Sequence, residues 1–257
     1  MSVLDEIILG VREDLAERRI SDSQLTELVA AAPMPVDVLG YLGGEEISVI
    51  AEVKRSSPSK GVLAQIPDPA SLAKIYQENG ASVVSVLTES RRFGGSLADL
   101  ASVRKSVTIP VLRKDFMVDE YQFHEARAYG ADVVLLIVAA LSKDQLREFL
   151  SLTEELGMRA LVEVHTPDEL EQAVDISAQI IGVNSRNLKT LDVDCKVFAD
   201  LLPRIPDEIV KVAESGISTR ADVTYAQLHG ADAVLIGEAL VRGSNPGATL
   251  RALLGQG

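Results

Sequence analysis

Short apolar runs separated by longer amphipathic stretches dominate the chain after residue 45. Eight of these runs have the length and β-branched content of buried strands, and they span residues 47–53, 83–87, 110–112, 133–138, 160–164, 180–183, 209–213 and 233–236. Continuous apolar strands that alternate with helices indicate a parallel sheet covered on both faces. Eight such units match a closed (β/α)₈ TIM barrel, an α/β fold.

An open doubly wound sheet is the alternative fold. It normally carries a glycine-rich phosphate loop after its first strand, whereas residues 54–61 here read KRSSPSKG. The dipeptide Gly-Ala stands just before a strand at 80–81, 130–131 and 230–231. Because glycine is a natural end for the preceding helix, this repeat favours strand–helix units and the barrel.

The first 45 residues have a different pattern from the rest of the chain. Apolar residues between positions 4 and 15 recur at helical spacing, which predicts a first helix. Ser21 or Ser23 is expected to cap a second helix that runs to about Ala31, before two prolines. We therefore predict one domain over residues 1–257, in which residues 1–45 form an N-terminal helical extension.

Composition narrows the classes of partner and compartment. The formal net charge of −13 argues against non-specific nucleic-acid binding, which needs clustered basic residues. The only cysteine, Cys195, cannot form an internal disulfide, and the charged N-terminus does not fit a secretory signal. The sequence contains no long uncharged apolar run of the kind that would predict a membrane span or an exposed interface. We expect a cytoplasmic monomer that binds neither nucleic acid nor membrane.

Polar residues interrupt the apolar pattern where several strands end. Active sites of TIM barrels lie at the C-terminal ends of strands, and alternate residues point inward. Parity predicts that five of these side chains converge on the barrel mouth: Glu52, Lys54, Lys114, Glu163 and Asn184. A structural ion-pair cluster is one interpretation. Acid–base catalysis is the other, because burying charges is costly unless they pair or do chemistry.

Two further segments near the predicted mouth have features of binding loops. Strands seven and eight end in short glycine-bearing segments with Ser215, Gly216 and Gly237, where barrels often bind phosphate through backbone N–H groups and a helix N-terminus. Ordinary turn formation is the alternative for these residues. The loop over residues 55–68 is long for a connection in a compact domain, which is typical of a lid.

Motifs at all eight strand ends resemble those of the indole-3-glycerol phosphate synthase family. They run in order over about residues 48–241, and they include AEVKRSSPSKG (51–61), VLRKDF (111–116), LVEVHT (161–166), IGVNSRNL (181–188), AESGI (213–217) and GADAVLIGEAL (230–240). The resemblance implies a lyase of tryptophan biosynthesis. It converts 1-(2-carboxyphenylamino)-1-deoxyribulose 5-phosphate to indole-3-glycerol phosphate with loss of carbon dioxide and water, using no metal and no organic cofactor.

The resemblance also implies roles for the five converging residues. Lys114 matches the general acid for ring closure, and Glu163 matches the base. Lys54 matches a substrate contact that is also a candidate acid for dehydration. Glu52 would orient the lysines, and Asn184 would hydrogen-bond substrate oxygens. The division of acid roles between the two lysines stays open.

Further positions are implied to bind the substrate. Ser57, Gly216 and Gly237, with Lys54 and Ser215, would hold the phosphate. Arg186 would bind the substrate carboxylate or pair with Glu163 or Glu214. Five apolar residues would surround the anthranilate ring or, alternatively, belong to the core: Pro58, Phe93, Phe116, Leu135 and Leu188.

Two positions depart from some family members. His165 stands where some members have Asn. One interpretation is a residue that supports a group in contact with the substrate; the other, which we expect, is a core histidine whose hydrogen bonds are satisfied. Glu238 stands where some have Ser beside the phosphate. A carboxylate would repel phosphate, so we expect only the backbone of Glu238 to make contact.

Three other functions are compatible with parts of the pattern. A ketose isomerase barrel would need an Asp or Cys acid–base pair at the strand ends, which is not what these strands carry. A Schiff-base aldolase would use Lys114 as a nucleophile. A catalytically silent scaffold would have lost the strand-end charges, which are all present here.

Overall fold

The computed structural model describes residues 2–44, 46–188 and 190–256. Its strands are β1 (Ser48–Val53), β2 (Ser56–Ser57), β3 (Gly61–Val62), β4 (Val83–Leu87), β5 (Val111–Lys114), β6 (Val133–Ile137), β7 (Arg159–Val164), β8 (Ile180–Asn184), β9 (Val210–Glu214) and β10 (Ala233–Ile236). Eight of them close into a parallel barrel in the order β1-β10-β9-β8-β7-β6-β5-β4. The predicted TIM barrel is confirmed, because β1 pairs with both β4 and β10.

Helices alternate with the barrel strands and cover the outside of the barrel. They are α1 (Val3–Arg18), α2 (Asp22–Ala31), α3 (Leu39–Leu42), α4 (Pro69–Glu78), α5 (Leu97–Ser106), α6 (Tyr121–Ala128), α7 (Lys143–Glu155), α8 (Pro167–Asp175), α9 (Lys196–Leu201), α10 (Arg220–Leu228), α11 (Glu238–Arg242) and α12 (Pro246–Leu254). Short 3₁₀ helices span Val138–Ala140 and Leu202–Arg204. Gly80, Gly130 and Gly230 have positive φ of 98°, 85° and 97°, which confirms that they end the preceding helices.

The core has two layers separated by the strands. One layer lies between the outer face of the strands and the helices, and it contains Val49, Val84 and Val162. The other fills the barrel interior with residues such as Ile50, Leu135 and Leu161. Successive residues of one strand therefore belong to different layers, as the period of two along a β-strand requires.

The predicted helical extension contains α1, α2 and α3, although residues 1 and 45 at its ends lie outside the described part of the chain. Ser21 caps α2 with a reciprocal hydrogen-bond pair to Gln24, which chooses between the two predicted caps. Leu4 and Ile7 of α1 line a cavity together with Phe116. The first helix therefore lies over the barrel mouth. Among the described residues, no helix has the length and apolarity to cross a membrane.

Strand β5 is longer than the apolar pattern predicted. The apolar run ends at residue 112, but the strand continues through Arg113 and Lys114, and Lys114 pairs with Leu87 of β4. The charged residues interrupt the apolar pattern but keep the alternation of Leu112 and Lys114 that placed Lys114 at the barrel mouth. The loop over residues 55–68, predicted as a lid or binding loop, contains the antiparallel pair β2 and β3.

Arg113 can be buried because it is ion-paired with two carboxylates on the outer face of β5, and a second arginine pairs with one of them. Its guanidinium lies 2.9 Å from the carboxylates of both Asp115 and Glu125. Arg18 of α1 binds Glu125 through two hydrogen bonds of 2.8 and 3.0 Å. We call Arg18, Arg113, Asp115 and Glu125 the outer ion cluster. It fastens the first helix to the strand that carries Lys114.

Candidate active site

Five ionic side chains meet at the C-terminal end of the barrel. Lys114 Nζ lies 3.0 Å from Glu163 Oε2 and 3.3 Å from Glu214 Oε2. Lys54 Nζ lies 2.7 Å from Glu52 Oε1. We call Glu52, Lys54, Lys114, Glu163 and Glu214 the mouth cluster. The parity prediction had brought together four of these residues.

The barrel geometry explains why the strand ends meet. Glu52, Lys114, Glu163 and Glu214 come from β1, β5, β7 and β9, which alternate around the barrel. In a TIM barrel, alternate strands contribute the side chains of one interior layer. These four residues therefore form the uppermost layer, charged where the lower layers are apolar. The three carboxylate side chains are nearly inaccessible to solvent.

Two glycines make room for this layer. A Cβ atom on Gly182 would lie 2.1 Å from Glu214 Oε1, and one on Gly237 would lie 2.5 Å from Glu52 Oε1. Both distances are far below van der Waals contact, so any side chain there would displace a carboxylate. Gly237 was predicted to bind phosphate, and the structure gives it this second role. The sequence did not single out Gly182.

The two carboxylates on Lys114 have pKa values shifted in opposite directions. Burial alone would raise the pKa of Glu163, but the charges of Lys114 and His165 bring it below its usual value. Burial raises the pKa of Glu214 to about 8, with a further rise from the charge of Glu163. Burial opposes the charge of Lys114, yet three carboxylates hold its pKa above its usual value. The site therefore combines an ionised carboxylate, an ammonium group and a carboxyl group that holds a proton near neutral pH.

Asn184 and Arg186 continue the site from the end of β8. The Asn184 side chain hydrogen-bonds Glu163 and accepts from the backbone N–H of Arg186 at 2.9 Å. The Arg186 guanidinium donates to Ser59 Oγ at 3.2 Å and to the Leu191 carbonyl at 3.0 Å. The alternative in which Arg186 pairs with Glu163 or Glu214 is not what the structure has, because both carboxylates contact Lys114. The Arg186 guanidinium bridges two loops at the rim.

The predicted apolar residues line two adjoining cavities above the mouth cluster. Phe93, Phe116 and Leu188 line both of them. Pro58 belongs to the cavity under α1, whereas Leu135 belongs to the deeper one beside Lys114. The rings of Phe93 and Phe116 lie 6.2 Å apart between centroids. Each of the five side chains thus lines one or both of two adjoining cavities that a flat aromatic ring could enter.

A third, mainly polar cavity adjoins these two and is shaped by the loop after β9. Ser215 and Gly216 line it, with φ of 68° and 73°, together with Gly237 after β10. Lys54 and Arg186 line this cavity and both apolar ones. Ser57 lies in the cavity under α1, and its buried Oγ has no hydrogen-bond partner within the part of the chain that is described. A buried hydroxyl without a partner in the protein is available to hydrogen-bond a ligand.

The contacts of Glu238 and His165 can be compared with those expected from the sequence. The Glu238 carboxylate binds Lys60 Nζ at 2.6 Å and lies 3.4 Å from Arg242 Nε, although it also lines the polar cavity. His165 Nδ1 contacts Glu169, as expected for a core histidine, but its buried Nε2 makes no hydrogen bond to any described residue. The expectation of a satisfied histidine is therefore wrong for one of its two ring nitrogens.

Glu214 is the functional residue that sequence reasoning left out of the converging set. The signal was present, because Val210, Val212 and Glu214 alternate along the last strand before the glycine-bearing loop. Val212 belongs to the interior layer, and Glu214 shares its parity. The same argument that found Glu163 would have found it.

Comparisons with known proteins show the family to which the chain belongs. The family model described as indole-3-glycerol phosphate synthase matches residues 4–253. The chain is 60% identical to the indole-3-glycerol phosphate synthase of Micrococcus luteus, over 98% of this chain and 97% of that protein. It is 58% identical to that of Streptomyces griseus, over 100% of this chain and 96% of that protein.

Solved structures with low sequence identity support the fold alone. The 3-hexulose-6-phosphate synthase of Salmonella typhimurium superposes with a TM-score of 0.67 at 14% identity, covering 81% of this chain and 97% of that one. The N-acetylmannosamine-6-phosphate 2-epimerase of Clostridium perfringens gives 0.63 at 12% identity, covering 80% and 92%. The family match, in contrast, spans nearly every element that builds the mouth. This chain belongs to the indole-3-glycerol phosphate synthase family, whose members are decarboxylating lyases of tryptophan biosynthesis.

Proposed function

We propose that this chain closes the indole ring of 1-(2-carboxyphenylamino)-1-deoxyribulose 5-phosphate, and that the mouth cluster performs the proton transfers. The observation that carries the assignment of roles is the position of Lys114 between two carboxylates with opposite pKa shifts. Environments that push the pKa values of neighbouring groups apart supply an acid and a base at one pH. Indole formation needs both.

Ring closure uses the ammonium group of Lys114. The aromatic carbon that bears the carboxylate attacks the ketone carbon of the ribulose chain, and the amino nitrogen attached to the aromatic ring supplies the electron pair. The carbonyl oxygen gains negative charge, which Lys114 stabilises and protonates. Loss of carbon dioxide then leaves an electron pair that restores the aromatic ring.

Dehydration completes the indole and requires a base and an acid. The hydroxyl formed in the first step leaves as water, and a proton leaves from the neighbouring carbon next to nitrogen. Glu163 is suited to accept that proton, because it is ionised and held by Lys114 and Asn184. Lys54 and Lys114 both stand as acids for the departing hydroxyl, and Glu214 joins them as a group that carries a proton. Glu52 orients Lys54 through their 2.7 Å contact.

The three cavities divide the substrate into its chemical parts. The anthranilate ring lies between Phe93, Phe116 and the other apolar residues, namely Pro58, Leu135 and Leu188. The phosphate binds to the loop amides of Ser215, Gly216 and Gly237 with Lys54 in the polar cavity. The unpaired Ser57 hydroxyl donates to it from the adjoining cavity under α1. Arg186 lines all three cavities and binds the substrate carboxylate.

We also propose that the protein acts as a cytoplasmic monomer that does not bind nucleic acid. A net charge of −13 supports the absence of nucleic-acid binding, since a polyanion would be repelled. The single thiol of Cys195 is compatible with a reducing compartment. Among the described residues, the exposed large apolar side chains are spread along the chain from Leu9 to Leu228 and do not form one continuous apolar segment.

The decisive experiment is incubation of the purified protein with the carboxyphenylamino-deoxyribulose phosphate while indole fluorescence is recorded. We expect the fluorescence to increase, and we expect indole-3-glycerol phosphate and carbon dioxide to form in equal amounts. Absence of both from folded protein would refute the proposal. Borohydride added during turnover is expected to trap no adduct, because Lys114 acts as an acid. A trapped covalent adduct on Lys114 would support the aldolase alternative instead.

A further inference from the structure

His165 lies behind Glu163, between two carboxylates, and the mechanism above does not use it. Its Nε2 is 3.4 Å from Glu163 Oε1, and its Nδ1 is 3.1 Å from Glu169 Oε2. The other oxygen of Glu163, Oε2, is the one that contacts Lys114. The two oxygens of the base therefore face two different nitrogen groups.

The ring cannot easily leave this position. Thr166 caps α8 by accepting from the backbone N–H of Glu169 at 3.2 Å. Glu169 Oε2 in return accepts from the backbone N–H of His165 at 2.7 Å and contacts its ring. The start of the helix thus fixes Glu169, and Glu169 fixes the imidazole. Only 11% of the His165 side chain is accessible to solvent.

The protonation state of His165 follows from these contacts. A neutral imidazole has one N–H and one lone pair. Either neutral tautomer would turn a lone pair toward a carboxylate oxygen, which is repulsive. Only the imidazolium donates toward both Glu163 and Glu169. The contact to Glu163 is longer than a good hydrogen bond, so its main effect in this arrangement is the attraction of opposite charges.

Three carboxylates act on the ring from three elements around it: Glu163 at the end of β7, Glu169 in α8 and Glu214 at the end of β9. Burial alone would lower the pKa of His165, but these groups raise it above its usual value.

We propose that His165 is an imidazolium in the free enzyme and acts as a positioning residue that keeps Glu163 ionised and aimed at the substrate. The proposal rests on the role of Glu163 as base, given under Proposed function. The described lining of the deeper cavity includes Glu163 but not His165, so His165 acts through Glu163 and not on the substrate.

The direct test is nuclear magnetic resonance of protein labelled with ¹⁵N in its histidines. The chain has three of them, His124, His165 and His229, and the spectrum of His165→Gln assigns the signal. We expect both ring nitrogens of His165 to be protonated at neutral pH. In Glu169→Gln, which keeps an acceptor but loses the charge, we expect the His165 titration to move to lower pH. A neutral ring at pH 7 would overturn the proposal.

The functional test is the pH profile of kcat. Turnover requires ionised Glu163, so kcat falls as the pH drops through the pKa of that group. Without the charge of His165 that pKa rises, so His165→Gln is expected to move the acid limb up by about one pH unit. His165→Ala should move it equally. If the limb stays in place in both variants while kcat falls, His165 has only a packing role and the proposal fails.

The two tests separate this proposal from the proposed function. The resonance experiment reports the charge of His165 whether or not the protein makes indole. A charged His165 in a protein with no turnover would contradict the proposed function alone. A neutral His165 in an active synthase would contradict this inference alone. If His165→Gln does not fold, Glu169→Gln still tests the cause of the charge.

Discussion

Two buried ion clusters share strand β5, and adjacent residues of that strand belong to different ones. Arg113 points outward into the outer ion cluster, and Lys114 points inward into the mouth cluster. Arg113 donates to Thr88, to the Gln122 carbonyl and to Asp115. In the mouth cluster, Glu214 Oε1 is buried and lacks a hydrogen bond from any described residue.

The difference indicates what each cluster is for. A buried ion pair stabilises a protein only when further hydrogen bonds satisfy its remaining atoms. The outer ion cluster meets that condition, so its charges are paired with one another and serve the stability of the fold. The mouth cluster keeps an unsatisfied oxygen beside cavities, and its carboxylates differ in protonation. Buried polar atoms left without partners mark the place where a ligand completes the set.

The largest expected effect is on turnover, from changes in the mouth cluster. Lys114→Ala removes the acid and Glu163→Gln removes the base. Each should lower kcat by about 10²- to 10⁴-fold, the usual contribution of general acid–base catalysis. Circular dichroism and urea unfolding should show that both variants remain folded. Near-normal turnover in either variant would show that the roles are wrongly assigned.

A change in the outer ion cluster should have the opposite profile. Glu125→Ala leaves Arg113 with one fewer buried partner, and we expect the free energy of unfolding to fall by about 3–5 kcal/mol. Turnover measured well below the unfolding transition should change little. The control is Lys143→Ala, which removes an exposed pair with Asp175 and should leave the free energy of unfolding nearly unchanged. If Glu125→Ala instead lost turnover and kept its stability, the outer ion cluster would have a functional role like that of the mouth cluster, and the distinction between them would fail.

The smallest effect is a pH dependence that belongs to Glu214. Its pKa of about 8 means that the carboxyl holds its proton below that pH and loses it above. If the protonated form serves turnover, kcat should fall as pH rises, by about twofold at the pKa itself. Glu214→Gln is neutral at every pH and should lack this alkaline limb. An alkaline limb that persists in Glu214→Gln would assign it to another group.

Much of the site could be predicted because strand parity is a local property. Glu52, Lys54, Lys114 and Glu163 follow from alternation within single strands, and the structure brings them to one end of the barrel. Glu214 was missed although the same alternation applies to it. The failure there was one of application, since Val212 marks the interior face.

Other features could not be predicted because they depend on residues far apart in the chain. The burial of Arg113 needs Glu125 and, through it, Arg18 from the first helix. The need for glycine at position 182 appears only when the Glu214 carboxylate lies against it. Whether both ring nitrogens of His165 find a partner depends on how α8 begins relative to Glu163.

The sequence alone determined the barrel, the order of its elements and the inward set of charged residues, because periodicity and turn chemistry act over a few residues. The tertiary structure decided which charges pair, which carboxylate is ionised and which polar atoms remain free. Those properties arise from distances across the barrel and from burial, both of which change the energy of a charge by more than any local preference does.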